Sequence, residues 1–411
     1  MENHQNRKLG VFEKTFWVLN QIDSKEFALA AEIEGRETVE AWEQALDKLQ
    51  QRHPNLSTKV LLDKFSRPAL NHMEASKIPL RVLNVEDEYC WEHVVEGELS
   101  TRLNTVEAPI LRAVLIQKPT RTVLLLTGSH LLADSSTISN LFHDLLSELA
   151  EKELASLKSQ CPNDETLSLS EDATIDGDDR EIVLSNDIKN IAQKVSSIQM
   201  DAATTSKLIE KAREHGTSVH GALSAAVLLA ARTLRKEWSD RKIELISPTC
   251  SRKTLKLDDN YGMNITTHPV YFEGEQQYDF WQVARQAKAG LAETDTEEHM
   301  RNYVNFFRDL TLESTDIQRM IDILKNAFNH EIMVTNLGML KYGTEFGKLK
   351  LNTIYGPIVR SDKGIEQTVG AISCNDTLCL TNTSDNPIEG LLESILGILT
   401  EACKSHHQVA V

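Results

Sequence analysis

His130 and Asp134 are the residues whose types and spacing best suit chemistry. They stand four apart in Ser129-His130-Leu131-Leu132-Ala133-Asp134-Ser135. An imidazole titrates at about 6.5 when unperturbed, so it can take a proton from a nucleophile and return it near neutral pH. A carboxylate four positions on comes back towards the same turn, where it can orient the ring directly or brace the loop through an arginine. The spacing equally describes a satisfied histidine at a cleft rim, with Asp134 as the N-cap of the next helix and Ser135 or Ser136 as competing caps.

The elements around the pair decide how rigidly it can be held. Residues 122–128 (TVLLLTG) run apolar without alternation, as expected of a strand covered on both faces. Residues 110–117 and 121–128, separated by Lys118-Pro119-Thr120, read as a hairpin. After the motif, Ile138, Leu141, Phe142, Leu145, Leu146 and Leu149 line one face of a helix. The pair therefore sits where a buried strand hands over to a helix. Upstream, residues 27–35, 57–62 and 80–85 read as strands and 37–51 and 86–103 as helices. Proline after His53 ends the first of these helices.

The second half repeats the mixture. Strands are expected at 197–200, 243–248, 264–272, 331–335, 349–355, 367–373 and 377–381. Helices are expected at 204–214, 278–292, 298–310, 315–328 and 388–405, with Ser218 capping a long apolar helix to residue 234. Both halves close with a hairpin and a helix, which predicts an α+β protein of two similar units. The acid-rich stretch 156–187 has no sustained periodicity. The expected division is an N-terminal lobe at 1–160, a crossover linker at 161–187 and a C-terminal lobe at 188–411.

Composition narrows the function. The 411 residues carry a formal charge of −17, from 44 Lys and Arg against 61 Asp and Glu, and no stretch forms a basic patch. Phosphate backbones and anionic lipid surfaces are therefore not expected partners. The six cysteines are scattered and point to neither a disulfide framework nor a zinc site. The polar start is not a signal peptide, and the longest apolar run, 221–231, is about half of a membrane span, so a cytoplasmic protein is expected. P-loop, GxGxxG, GxSxG and HExxH signatures do not occur.

With these pieces in place the sequence resembles the condensation-domain and CoA-dependent acyltransferase superfamily, and within it the phthiocerol dimycocerosyl transferase and alcohol acetyltransferase branch. The family's HHxxxDG stands here as residues 129–135. Arg7-Lys8-Leu9-Gly10-Val11-Phe12-Glu13, Arg52-His53-Pro54-Asn55-Leu56, Pro109-Ile110-Leu111-Arg112, Tyr261-Gly262-Met263-Asn264 and Thr335-Asn336-Leu337-Gly338 follow in family order. No DFGWG segment of the plant type is present.

The resemblance implies two chloramphenicol-acetyltransferase-like lobes in a V shape with a central channel. A thioester donor, on coenzyme A or an acyl carrier protein, would enter from one face and a small-molecule alcohol or amine from the other. His130 would act as general base for direct attack, without an acyl-enzyme, a cofactor or a metal. Asp134 would hold the loop through an arginine, for which Arg252 is the expected partner; a solvated charge at a strand end is the alternative. Asn336 and Asn264 match positions that line the channel or brace its crossover segments, and either could support the oxyanion. An Asn before Leu-Gly also reads simply as a turn residue. Ser129 replaces a family histidine that is mostly packed. Ser135 replaces a glycine, which costs stability if that backbone requires φ > 0.

The expected activity is O-acyl transfer, with amide-forming condensation second. A non-catalytic relative that binds an acyl chain or carrier protein is the alternative from another class. Three further histidines read as structural: His143 at the surface beside Asp144, His268 in a strand, and His220 within the turn that Ser218 caps.

Overall fold

The structure is a computed structural model. It describes residues 7–21, 25–62, 68–106, 109–159, 161–169, 191–257, 261–274, 279–313, 317–327, 329–361 and 364–404. Residues 170–187 of the expected linker lie outside the described residues.

The chain opens with β1 (Arg7–Lys8), α1 (Val11–Leu19), β2 (Glu26–Glu34), α2 (Val39–Arg52), β3 (Thr58–Leu62), β4 (Pro68–His72) and β5 (Leu80–Asn84). Next come α3 (Trp91–Ser100), β6 (Leu111–Gln117), β7 (Arg121–Ser129), α4 (Ser135–Leu149) and the single turn α5 (Asn163–Thr166). The second half begins with β8 (Lys194–Met200), α6 (Ala202–Glu214), α7 (Val219–Leu234), β9 (Ile243–Cys250), the short α8 (Arg252–Leu255) and β10 (Ile265–Phe272). Helices α9 (Phe280–Gly290), α10 (Glu297–Glu313) and α11 (Ile317–Ala327) follow. The chain ends with β11 (Ile332–Met339), β12 (Glu345–Phe346), β13 (Leu349–Val359), β14 (Gln367–Cys374), β15 (Thr377–Ser384) and α12 (Leu391–Ala402).

These elements build two six-stranded sheets, ordered β12-β13-β2-β7-β6-β5 and β10-β9-β11-β14-β15-β8, and a small three-stranded sheet β1-β4-β3. Each large sheet has its own apolar core: Phe27, Leu29, Trp42, Leu125 and Phe142 in one, Leu223, Val227, Trp238, Phe272 and Leu380 in the other. The result is an α+β fold with two large sheets, each packed with helices. Strand β7 is central and buried between β2 and β6, which accounts for its unbroken apolar run. Two strands of the second half cross over, because β13 pairs antiparallel with β2 (Ile354 opposite Ala31) and carries β12 on its other edge into the N-terminal sheet. The sheets meet closely where a Cβ at Gly370 would stand 2.1 Å from Pro357 O, so only glycine fits there.

The expected helix at 86–103 contracts to α3, because residues 87–88 form a turn ahead of it. Helix α1 and strands β4 and β12 were not predicted. Helix α1 starts at Gly10, which has no capping side chain. Glu13 reaches back to Gly10 N–H at 2.9 Å, and Asp164 accepts Val11 N–H at 3.1 Å from 153 residues away. No described helix is long and apolar enough to cross a membrane.

Candidate active site

Strand β7 ends at Ser129, and the chain turns through residues 130–134 into α4. Both expected readings of Asp134 hold together. Its backbone is extended, as at an N-cap, and Oδ1 accepts Thr137 N–H at 2.9 Å. Oδ2 accepts from Arg252 Nη1 at 2.7 Å and from Asn264 N–H at 2.8 Å. The carboxylate is fully buried and the Arg252 side chain is 7% exposed. Burial works against the guanidinium charge, yet Asp134 beside it holds its pKa well above the usual arginine range.

The loop so fixed carries His130. Its Nδ1 lies 3.2 Å from Ala133 O. A carbonyl oxygen only accepts, so Nδ1 carries the hydrogen and Nε2 keeps its lone pair. Nε2 has no protein partner among the described residues, and His130 retains 8% of its surface exposed. Burial pushes the ring pKa down to about 4, against weaker opposing effects of the Ala133 carbonyl and the Asp134 charge. The ring is therefore held as a neutral imidazole at physiological pH. Phe27 stacks on it at 4.2 Å between centroids and Phe16 tilts against it at 5.7 Å.

The segment 261–264 passes beneath this loop and is held along its backbone. Asn55 Nδ2 donates to Tyr261 O at 3.0 Å, and Thr137 Oγ1 and Arg252 Nη2 donate to Gly262 O at 2.8 and 3.1 Å. Asn163 Nδ2 donates to Met263 O at 3.2 Å. Asn264 is fully buried and acts on Asp134 through its backbone N–H. Asn336 is half-buried at a bulge in β11, and its Oδ1 accepts Gly338 N–H at 2.8 Å. Gly338 has φ of 74°, the left-handed region that favours glycine, so the turn reading of Asn336-Leu337-Gly338 describes the local structure.

Neither serine in the motif disturbs this arrangement. Ser129 is fully buried opposite Glu26, and its Oγ accepts Leu131 N–H at 3.3 Å. Ser135 is the first residue of α4 with helical backbone, so the penalty for positive φ does not arise.

A second polar hub, missed in the sequence, fixes α4 to α2. Asp144 Oδ2 accepts from Arg52 Nε and pairs with His53 Nε2, both at 2.7 Å, and Oδ1 pairs with His143 Nδ1 at 3.0 Å. Burial disfavours the carboxylate, but these three partners hold it well below the usual range. His143 is thus half-exposed and paired. The available signal was an acid set between the apolar Leu141 and Leu145. His268 bonds Thr266 Oγ1 at 2.7 Å, and Ser218 caps α7 through Gly221 N–H. His220 goes beyond that turn to Ser247 Oγ at 2.8 Å. Among the described residues no cluster of three or more His, Cys, Asp or Glu side chains is placed to hold a metal.

The buried imidazoles make stability depend on pH. Burial pushes His130, His220 and His268 each to about 4 in the fold, against about 6.5 in the unfolded chain. The unfolded chain therefore binds more protons below pH 6.5. Stability is complete above about 6.5 and is lost progressively down to about 4. Glu26 and Asp164, raised by burial, offset part of the loss at the acid end. We expect the thermal midpoint to fall by roughly 5 °C between pH 7.5 and pH 5. A midpoint that stays level across that interval in a melting series would contradict it.

Residues 189–256, which include Arg252, match the family model described as the phthiocerol/phthiodiolone dimycocerosyl transferase C-terminus. Over the full chain the fold is similar to polyketide synthase associated protein 5 from Mycobacterium tuberculosis (17% identity, TM-score 0.69, covering 97% of this chain and 98% of that one). It is also similar to the first condensation domain of the CDA synthetase (15% identity, TM-score 0.70, 98% and 97% covered). An epimerization domain of tyrocidine synthetase B shares the fold as well (15% identity, TM-score 0.62, 97% and 98% covered). No curated protein matches the sequence. The fold is thus shared with condensation domains and a polyketide synthase associated protein, and residues 189–256 are similar to the dimycocerosyl transferase C-terminus.

Proposed function

We propose that the protein is an acyltransferase that moves an acyl group from a thioester, on coenzyme A or an acyl carrier protein, to the hydroxyl of a small molecule. The observation that carries this is the His130 ring. Its Nδ1–H is committed to Ala133 O, its Nε2 lone pair is uncommitted, and burial keeps it neutral. In this reading Nε2 takes the acceptor's hydroxyl proton as the oxygen attacks the thioester carbonyl. The C–O bond forms, the C–S bond breaks, and the proton passes from Nε2 to the leaving thiolate. No acyl-enzyme intervenes, and the step needs no cofactor or metal. Asn336 is the oxyanion donor in this scheme, because Oδ1 is held by Gly338 while Nδ2 has no partner among the described residues. The reaction would take place in a channel between the lobes and in the cytoplasm, where both kinds of thioester donor are made.

An amine acceptor follows the same proton path and gives an amide. The ester is preferred because residues 189–256 resemble a dimycocerosyl transferase C-terminus and because Ser129 and Ser135 depart from the motif of peptide-forming domains. Incubation with a panel of acyl thioesters, with and without alcohols and amines, tests the reading by free-thiol release. We expect release that requires an alcohol. Thioester binding without release under any acceptor would replace the enzyme with an acyl- or carrier-binding protein.

A further inference from the structure

We propose that Phe27 is the positioning residue for the His130 imidazole, its flat ring fixing the plane from which Nε2 meets the acceptor. This rests on the reading of His130 as the base. Phe27 lies on β2 directly opposite Gly128 on β7. Side chains of a cross-strand pair share a face, and alternation along the strand brings residue 130 to that same side. Gly128 places nothing in the way. A Cβ built there would meet Ile138 Cδ1 at 3.4 Å, Leu111 Cδ1 at 3.6 Å and Phe27 Cε1 at 3.8 Å, all ordinary contact distances, so the phenyl ring packs alongside Gly128 next to His130. The two rings lie 4.2 Å apart with planes 13° from parallel. Phe27 is fully buried, so the surrounding core locks its ring, while Phe16 meets the imidazole at 44°.

The need for such a ring follows from the torsion it controls. The outer side-chain torsion of histidine has broad wells, and a single 3.2 Å bond to Ala133 O restrains it loosely. A rigid flat partner on the ring face removes the remaining swing, whereas an aliphatic side chain would supply the burial without the flat face. The role belongs to Phe27 because its ring alone lies nearly parallel to the imidazole among the contacts described for His130.

Phe27→Leu and Phe27→Met keep apolar volume and remove the plane. For both we expect kcat to fall about tenfold with the donor KM unchanged, a modest case of the loss that follows misplacement of a catalytic group. Imidazole 15N spectra should show one tautomer, protonated at Nδ1, in the wild type and an averaged mixture in the variants. Either variant, folded and with a single tautomer and wild-type kcat, overturns the proposal. A wild-type spectrum already averaged between tautomers overturns it without any variant. His130→Ala run in parallel separates the two ideas. Full activity there rejects the base, while the 15N spectra still decide whether Phe27 orients the ring.

Discussion

Replacing His130 by alanine is expected to lower turnover by about 10²- to 10⁴-fold while leaving the donor KM nearly unchanged. The magnitude is that of a positioned general base, and KM is spared because the imidazole acts on the proton being transferred and not on the bound donor. The pH profile supplies a second, independent signature. A base works only when unprotonated, and burial has pushed this ring to about 4. The acid limb of kcat/KM should therefore fall near pH 4, about two units below where an unperturbed imidazole would place it. So weak a base cannot strip a free alcohol in advance, so proton transfer has to accompany attack on the carbonyl. Steady-state kinetics from pH 4 to pH 8 on both proteins checks all of this. Wild-type turnover in the variant, or an acid limb near 6.5, would reject the assignment.

What the sequence revealed and what it hid divide along physical lines. Local signals were readable where the residues that make an element lie within it. Ser218 caps α7 three residues from the N–H it binds, and the apolar run 122–128 became the buried β7. The pairing of Asp134 with Arg252 was readable because the family pattern supplied both the need for a cation and its place after a strand. Helix α1 was not, because its first N–H groups are satisfied partly by Asp164, far along the chain. The transfer of β13 to the N-terminal sheet was equally hidden, since strand periodicity says which face is buried but not which sheet receives it. The Asp144 hub needed α2 and α4 side by side before Arg52, His53 and His143 could be seen to share one carboxylate. Asn264 acts on the motif through its backbone: its N–H braces Asp134, which no residue type announces.

The same brace sets the other large effect. Arg252→Met leaves the Asp134 carboxylate fully buried beside an apolar side chain, and removing one partner of a buried ion pair costs about 3–5 kcal/mol. Asp134→Asn is milder at the helix, because its amide oxygen can still cap Thr137 N–H, but it strands the guanidinium in turn. Each single change should lower the thermal midpoint by roughly 5 °C or more. The double variant should melt above the value expected from adding the two losses, since it removes both stranded charges at once. Activity should follow the loop. Ala133, whose carbonyl holds His130 Nδ1–H, lies between the ring and Asp134, so slackening the brace misaims Nε2 even at temperatures where the protein stays folded. Melting curves of the two singles and the double, with kcat measured well below each midpoint, test both statements. Strict additivity would mean that Asp134 and Arg252 stabilise the fold independently. A full kcat in Arg252→Met would detach the brace from the chemistry and leave Ala133 O and Phe27 as sufficient restraints on the imidazole.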